Sequence, residues 1–354
     1  MIVAGILLLI VVLLVGSYFY TNMTYMKKPL KEMYKAGFTE KQIKLKDGTV
    51  LNYGEGPSNG KTPLLFIHGQ GMTWEDYSKV LPELSKHYHV YAVDCHGHGE
   101  SDWNPKKYTA KAMAKDFAEF IEVKIGEKTV ISGHSSGGMI AAWMAAHYPE
   151  LVLGTVIEDS PFFSTELDRR ENTYVWVYGF QMYEDFKNQH EVKDYFTYSL
   201  ENSYWRKMFG DFLWNKFSKD AIAYHEKHPN ELVHLVYLPP QINRIFEADT
   251  YPYDRRFGET FYDHSWFEDY NQEEILSKIK SPAVFLKANT IYDGNLLVAA
   301  LSDEDADRVA DLLENGKRMI LILLDIIFIT INQKNFRRLL FVFWKLFQFI
   351  KRYL

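Results

Sequence analysis

The stretch VISGHSSGGMI, residues 130–140, decides how the rest of the chain is interpreted. A run of apolar β-formers stops at Gly133, a serine lies in the middle of a glycine-rich turn, and an apolar segment follows. Residues 133–137 therefore fit the pattern G-x-S-x-G at a strand-to-helix turn. A serine on such a strained turn is exposed, and the N-terminus of the next helix directs partial positive charge towards a developing oxyanion. Ser135 is the candidate nucleophile.

Two further loops follow apolar runs that are typical of buried strands. In FIHGQG, residues 66–71, the backbone N–H of Gln70 is placed to join that of Ser136 in an oxyanion hole. We expect His68 in this loop to be a structural hydrogen-bonding residue and not the catalytic base. The other loop is DCHGHGESD, residues 94–102.

Strand and helix patterns alternate along most of the chain, which predicts right-handed βαβ crossovers and a mostly parallel sheet. A hairpin is predicted at 41–56, and strands are predicted at 64–68, 89–94, 129–132, 151–158 and 283–287. Helices are predicted at 74–84, 109–123, 136–148, 272–280 and 303–313.

The loops at residues 66–71, 94–102 and 133–137, in this order along the chain, resemble those of the α/β-hydrolase family. More narrowly, they resemble its lid-bearing esterase, lipase and peptidase-like members. The resemblance covers about residues 40–315. It implies an α/β-hydrolase fold and hydrolysis of carboxylic esters or similar hydrophobic acyl substrates through an acyl-enzyme, with no metal or organic cofactor. His96 and His98 would shape their loop without a catalytic role. The resemblance places the catalytic acid after the strand that follows the lid, at Asp293, with Asp159 as the alternative.

The alternation breaks between residues 160 and 270, which hold 28 of the chain's 56 aromatic residues. We expect this segment, here called the lid, to be a mostly helical insertion that covers a hydrophobic pocket. The sequence then divides into a membrane anchor (1–26), two parts of a hydrolase core (36–159 and 271–318), the lid (160–270) and an aberrant hydrophobic tail (319–354).

The N-terminal segment IVAGILLLIVVLLVGSYFY, residues 2–20, carries no charge. As a helix it spans about 28 Å, close to the thickness of a bilayer core. It is apolar on all faces, which favours a single-pass membrane anchor over a buried core helix. Lysines follow the segment and none precedes it, so the positive-inside rule favours a cytoplasmic main domain.

The net charge of −6, without a basic stripe, argues against a nucleic-acid partner, and the single cysteine excludes a disulfide within the chain.

The sequence lacks one expected residue. The family order is serine, acid, histidine, yet the last of the twelve histidines is His264, before Asp293. Read one base out of frame from Met319, the codons are compatible with DFDSAGHNIHYNKPKEF, which contains the expected Gly-His turn. We therefore hypothesise a frameshift near residue 318. If the tail is instead genuine, residues 334–352 resemble an interfacial amphipathic helix. In that case His264 or His98 replaces the base, or the chain is a non-catalytic, membrane-anchored binding protein.

Overall fold

A single eight-stranded sheet forms the centre of the molecule in this computed structural model, which describes residues 2–58 and 60–313 and the backbone of 316–320. The tail beyond residue 320, for which a frameshift is hypothesised, lies outside the described residues. The strands of the sheet are β1 (Thr39–Lys44), β2 (Val50–Glu55), β3 (Pro63–Ile67), β4 (His89–Val93), β5 (Thr129–His134), β6 (Val152–Glu158), β7 (Ala283–Lys287) and β10 (Gly316–Ile320). A separate hairpin pairs β8 (Tyr292–Asp293) with β9 (Leu296–Leu297).

The strand order is β1-β2-β4-β3-β5-β6-β7-β10. β1 and β2 form an antiparallel hairpin, β2 pairs antiparallel with β4, and every later pairing in the sheet is parallel. The carboxyl ends of β3, β5, β6 and β7 therefore meet at one edge of the sheet. The predicted mostly parallel sheet is confirmed.

The central strands are apolar on both faces because helices cover both sides of the sheet. Along β3, Leu65 and Ile67 belong to one hydrophobic cluster, while Leu64 and Phe66 belong to a second one on the opposite face. The strand alternates its side chains between the two faces, and all four are buried.

The helices that flank the sheet are α2 (Lys27–Lys35), α3 (Leu81–Leu84), α4 (Ala110–Phe120), α5 (Ser136–His147), α11 (Gln272–Lys278) and α12 (Asp303–Leu312). α5 follows the G-x-S-x-G turn and is buried from Ser136 to Ala145. It lies close to the sheet at Gly137, where an added Cβ would come within 2.2 Å of the Ile67 carbonyl oxygen. The predicted helix at 74–84 is instead a 3-10 turn (Trp74–Lys79) followed by α3, which has Pro82 in its first turn.

The segment between β6 and β7 contains α6 (Met182–Asn188), α7 (Tyr195–Glu201), α8 (Trp205–Lys227), α9 (Pro240–Ala248) and α10 (Arg256–Tyr262). Aromatic residues such as Trp205, Trp214 and Phe246 give it a hydrophobic cluster of its own.

At the N-terminus, α1 (Ile2–Thr24) is long and apolar enough to cross a membrane, and its most apolar part is exposed throughout.

Candidate active site

Ser135 lies at the sharp turn between β5 and α5. Its φ and ψ are 53° and −123°, in a region that non-glycine residues rarely occupy. Its backbone N–H donates a 2.9 Å hydrogen bond to the carbonyl of Glu158 at the end of β6, which holds the turn against the neighbouring strand. The strain persists because the surrounding structure imposes it, and such strain is concentrated at functional sites.

The loop after β3 lies directly against this serine. A Cβ added at Gly69 would stand 3.0 Å from the Ser135 Cβ. Among the backbone hydrogen bonds of the described residues, no bond is donated by the N–H of Gln70, and the N–H of Ser136 begins α5, where no intrahelical acceptor is available. Both Gln70 and Ser136 line the same cavity as Ser135. The structure therefore brings together the serine and both predicted oxyanion donors.

Two buried histidines hold the adjoining loops in place. His68 accepts a hydrogen bond from the Cys95 N–H at Nε2 (2.9 Å), and His98 accepts one from the Gly71 N–H at Nε2 (3.0 Å). The second ring nitrogen of His98 contacts the carbonyl of His96 at 3.0 Å. Burial lowers the pKa of His98 to about 3 and that of His68 to about 4, so both rings are neutral. Since both nitrogens of His98 are engaged, it is not free to act as the base.

The structure places the two candidate acids in different environments. Asp293 lies in the β8–β9 hairpin, and its carboxylate pairs with Lys207 of the lid at 2.5 Å. That ion pair and hydrogen bond hold the pKa of Asp293 below its ordinary value. Asp293 does not line the cavity that contains Ser135.

Asp159 instead follows β6 directly, one residue beyond the carbonyl that receives the Ser135 N–H. Neighbouring strands lie about 4.8 Å apart, so the two residues sit side by side at the carboxyl edge of the sheet. Asp159 is 6% exposed, and its Oδ1 accepts a 3.0 Å hydrogen bond from the Ala288 N–H. Its Oδ2 is buried and has no partner among the described residues. Burial raises the pKa of Asp159 to about 6, although the Ala288 N–H and Lys287 oppose the shift.

A cavity of about 400 Å³ opens in front of Ser135. The lid supplies much of its wall through the aromatic residues Tyr174, Tyr178, Phe180 and Phe261. Of the residues that the structure describes, no histidine lines this cavity. His264 stacks on Phe267 beside a different cavity, lined by Glu166 and Arg308, so the structure does not bring it to Ser135.

Sequence reasoning did not find several residues of the cavity wall, among them Asp76, Arg244 and Tyr251. Asp76 accepts a hydrogen bond from the Tyr251 hydroxyl at 2.9 Å. No local pattern marks a single arginine or aspartate as lining a pocket, because the contact joins the β3–β4 connection to a lid segment far along the chain.

Comparisons with known proteins agree with this fold. A family model described as the alpha/beta hydrolase fold matches residues 62–239, half of the chain. The chain therefore belongs to the α/β-hydrolase family.

Among curated relatives, epoxide hydrolase 4 of Mus musculus is 30% identical over 122 residues, which is 34% of each protein. The 2-(acetamidomethylene)succinate hydrolase of Mesorhizobium japonicum is 34% identical over 134 residues, 36% of this chain and 46% of that enzyme. The matches thus span between a third and a half of these relatives.

Two solved structures share the fold over nearly the whole chain. A putative lipase from Acinetobacter baumannii has a TM-score of 0.58 at 19% identity and covers 92% of this chain and 97% of its own. A bacterial membrane phospholipase A has a TM-score of 0.55 at 19% identity, and the match covers 99% of this chain and 98% of the phospholipase. At this identity the likeness establishes the fold.

Proposed function

We propose that the protein is a serine hydrolase that cleaves carboxylic esters of hydrophobic acids through an acyl-enzyme. The observation that carries the proposal is Ser135, held in a strained turn at the floor of an aromatic cavity, with the N–H groups of Gln70 and Ser136 beside it. The names of the relatives describe hydrolysis of several different bonds, so they support hydrolysis in general. Ser135, in the sharp turn between β5 and α5, supports acyl transfer.

In the proposed reaction, the Ser135 Oγ attacks the ester carbonyl carbon while its proton passes to a general base. The carbonyl oxygen becomes an oxyanion and accepts hydrogen bonds from the N–H groups of Gln70 and Ser136. The tetrahedral intermediate collapses, the C–O bond to the alcohol breaks, and the base returns its proton to the departing alcohol. Water then attacks the acyl-enzyme by the same route, which releases the acid and restores Ser135.

For the acid that orients the base we propose Asp159 in place of the expected Asp293. Asp159 is buried at the carboxyl edge of the sheet beside Ser135, and its Oδ2 lacks a donor among the described residues. An imidazole N–H would satisfy that oxygen, and the carboxylate would in turn stabilise the imidazolium. Asp293 is only half-buried in a hairpin and already has Lys207 as its partner.

The base itself is expected after β10, whose backbone pairs in parallel with β7 at the sheet edge. In the family the histidine follows this last strand, and the frameshift hypothesis places a Gly-His pair there. The chain as written has no histidine after His264. We therefore expect it to hydrolyse esters several orders of magnitude more slowly than the frame-restored chain, defined as the same protein with the shifted reading frame from residue 319.

For the location, we propose that α1 anchors the protein in a membrane as a single pass. The helix is 23 residues long and its most apolar part is exposed in the structure. A hydrophobic cavity wall and a membrane anchor together favour a lipid-like substrate over a small polar one. That the main domain faces the cytoplasm stays a prediction from the lysines after the helix.

A second function is favoured by one observation: no histidine of the described part of the chain lines the cavity that contains Ser135. If the tail is genuine, the cavity would bind a hydrophobic ligand without hydrolysing it, as in a membrane-anchored binding protein. The two functions make different predictions for catalysis and the same prediction for binding.

The test is hydrolysis of p-nitrophenyl esters of increasing acyl length by the purified full chain and by the frame-restored chain. Ser135→Ala should abolish activity. Ser136→Ala is the matched control, because it removes the neighbouring hydroxyl and keeps the backbone N–H. Equal activity in Ser135→Ala and its parent would refute the assignment of the nucleophile. A frame-restored chain that binds the esters and does not hydrolyse them would support the binding protein.

A further inference from the structure

A second cavity, of about 520 Å³, lies between the end of the N-terminal helix and the lid. Its lining shares three residues with the Ser135 cavity: Asp76, Arg244 and Tyr251. The two cavities are therefore neighbours that meet at these side chains. We call the second one the outer cavity and the three shared residues the neck.

The outer cavity begins where the apolar helix ends. α1 ends at Thr24, and the next residues, Tyr25, Met26, Pro29 and Leu30, form one side of the cavity. If α1 spans a membrane, this side of the cavity stands at the membrane surface, within two turns of the end of the span.

The lid is bonded directly to the anchor helix at this place. Asn22, which is 1% exposed, donates hydrogen bonds from Nδ2 to the carbonyls of Val236 (3.1 Å) and Leu238 (2.9 Å). The Tyr18 hydroxyl donates to the carbonyl of Tyr237 at 2.9 Å. These bonds satisfy three successive backbone carbonyls of a lid segment and fix the outer cavity relative to the membrane helix.

The walls of the outer cavity are amphipathic. Met26, Pro29, Leu30 and Leu232 supply apolar surface, whereas Thr73, Glu75, Asp76, Ser78 and Lys79 supply polar surface. At the neck, Arg244 lies with its guanidinium 5.7 Å from the centre of the Tyr25 ring, so it extends from the anchor side of the outer cavity to the Ser135 cavity. A ligand that fits both walls has an apolar chain and a polar ester or head group.

We propose that the outer cavity is the entry site for a membrane lipid ester, whose acyl chain leaves the bilayer beside Tyr25 and Leu30 and passes the neck to Ser135. This inference rests on the proposed function for the chemistry at Ser135. It adds the substrate class, an ester of a membrane lipid, and the route by which that substrate arrives. It also gives a structural reason for an anchor bonded to the lid, since the entry is held at the membrane surface.

The experiment follows binding and does not need catalysis. The full chain is reconstituted in phosphatidylcholine vesicles that contain a phosphatidylcholine with a diazirine in one acyl chain. After irradiation, cross-linked residues are mapped by mass spectrometry. Cross-links within residues 2–20 report that α1 lies in the bilayer, and they serve as the internal reference for each sample.

We expect cross-links at residues 25–30 and 229–232 of the outer cavity and at residues 173–180 of the Ser135 cavity. Leu232→Trp, which fills the outer cavity, should reduce cross-linking at 173–180 about tenfold, equivalent to ~1.4 kcal/mol of binding. Leu30→Trp is the second variant, should Leu232→Trp fail to fold. Leu167→Trp, in the separate cavity beside His264, is the matched control and should change nothing.

Cross-links at 173–180 that persist unchanged in a folded Leu232→Trp or Leu30→Trp protein would overturn the proposed route. So would a complete lack of cross-links in the outer cavity of the parent chain. Failure of the hydrolase function shows itself separately, as absent ester hydrolysis by the frame-restored chain while lipid cross-linking continues.

Discussion

Replacing Asp159 by asparagine tests the burial of its carboxylate by a stability measurement that does not depend on catalysis. The carboxyl group is buried, and its pKa is raised from 3.8 to about 6. Between these values the folded state binds more protons than the unfolded state, so the contribution of Asp159 to stability falls as the pH rises from about 4 through about 6. A shift of about two units corresponds to roughly 3 kcal/mol of destabilisation above this window.

Asparagine removes the charge and keeps the oxygen that accepts the Ala288 N–H. We therefore expect Asp159→Asn to stabilise the folded protein by up to about 3 kcal/mol at pH 7 to 8, and to leave it nearly unchanged at about pH 4. Urea unfolding, followed by tryptophan fluorescence across this range, measures the difference. Asp293→Asn, at a half-buried carboxylate that is paired with Lys207, is the control and should show no such gain as the pH rises.

The same variant should lose function while it gains stability. In the frame-restored chain, Asp159→Asn should lower ester hydrolysis by a factor of roughly 10³ to 10⁴, the cost of removing the acid that orients a base. Asp293→Asn should retain activity. If the stability difference between Asp159→Asn and the parent is the same at about pH 4 and pH 8, the carboxylate is not the buried, unpaired group described here and the reasoning fails.

Three further predictions concern the backbone at Ser135, the packing of α5 on the sheet, and the contact between α1 and the lid. Ser135→Gly should raise the free energy of unfolding by about 1 to 2 kcal/mol, because glycine adopts the positive φ without strain. Chemical denaturation measures this free energy, and a loss of stability would refute the prediction. Gly137→Ala should destabilise the fold by more than about 3 kcal/mol or prevent folding, since its Cβ would lie 2.2 Å from the Ile67 carbonyl oxygen. Thermal unfolding and the yield of soluble protein measure the loss of stability. A variant as stable as its parent would contradict the close packing. Asn22→Leu leaves two lid carbonyls without their donor and should cost about 1 to 3 kcal/mol locally. Limited proteolysis should then cleave residues 228–239 faster, and an unchanged rate would show that α1 does not hold the lid.

The sheet could be predicted from sequence because its strands are short, apolar runs bounded by turn residues. β3 and β5 were predicted within one or two residues, and Ser135 follows from the strand-turn-helix pattern around it. The helix predicted at 74–84 was wrong as one element, because Pro82 has no N–H with which to continue the preceding turn.

The acid was harder to place, since both Asp159 and Asp293 follow strands that end at the same sheet edge. Sequence shows that each is near a strand end, but it does not show which one is buried. In the structure the chain after β7 turns out into the β8–β9 hairpin and takes Asp293 to Lys207, whereas Asp159 stays in the strand pairing. Burial depends on contacts between distant segments, and the local pattern does not record it. The same limit applies to the neck, which joins residues 76, 244 and 251.

The central claim is that Ser135 is the nucleophile of a hydrolase site whose base is supplied after β10. The most direct measurement is the rate at which a fluorophosphonate probe modifies Ser135 in the chain as written and in the frame-restored chain, each with its Ser135→Ala variant. The account predicts labelling of Ser135 in the frame-restored chain at least about 10³ times faster than in the chain as written, and none in either alanine variant. Equal rates in the two chains, or no labelling of a well-folded frame-restored chain, would contradict it.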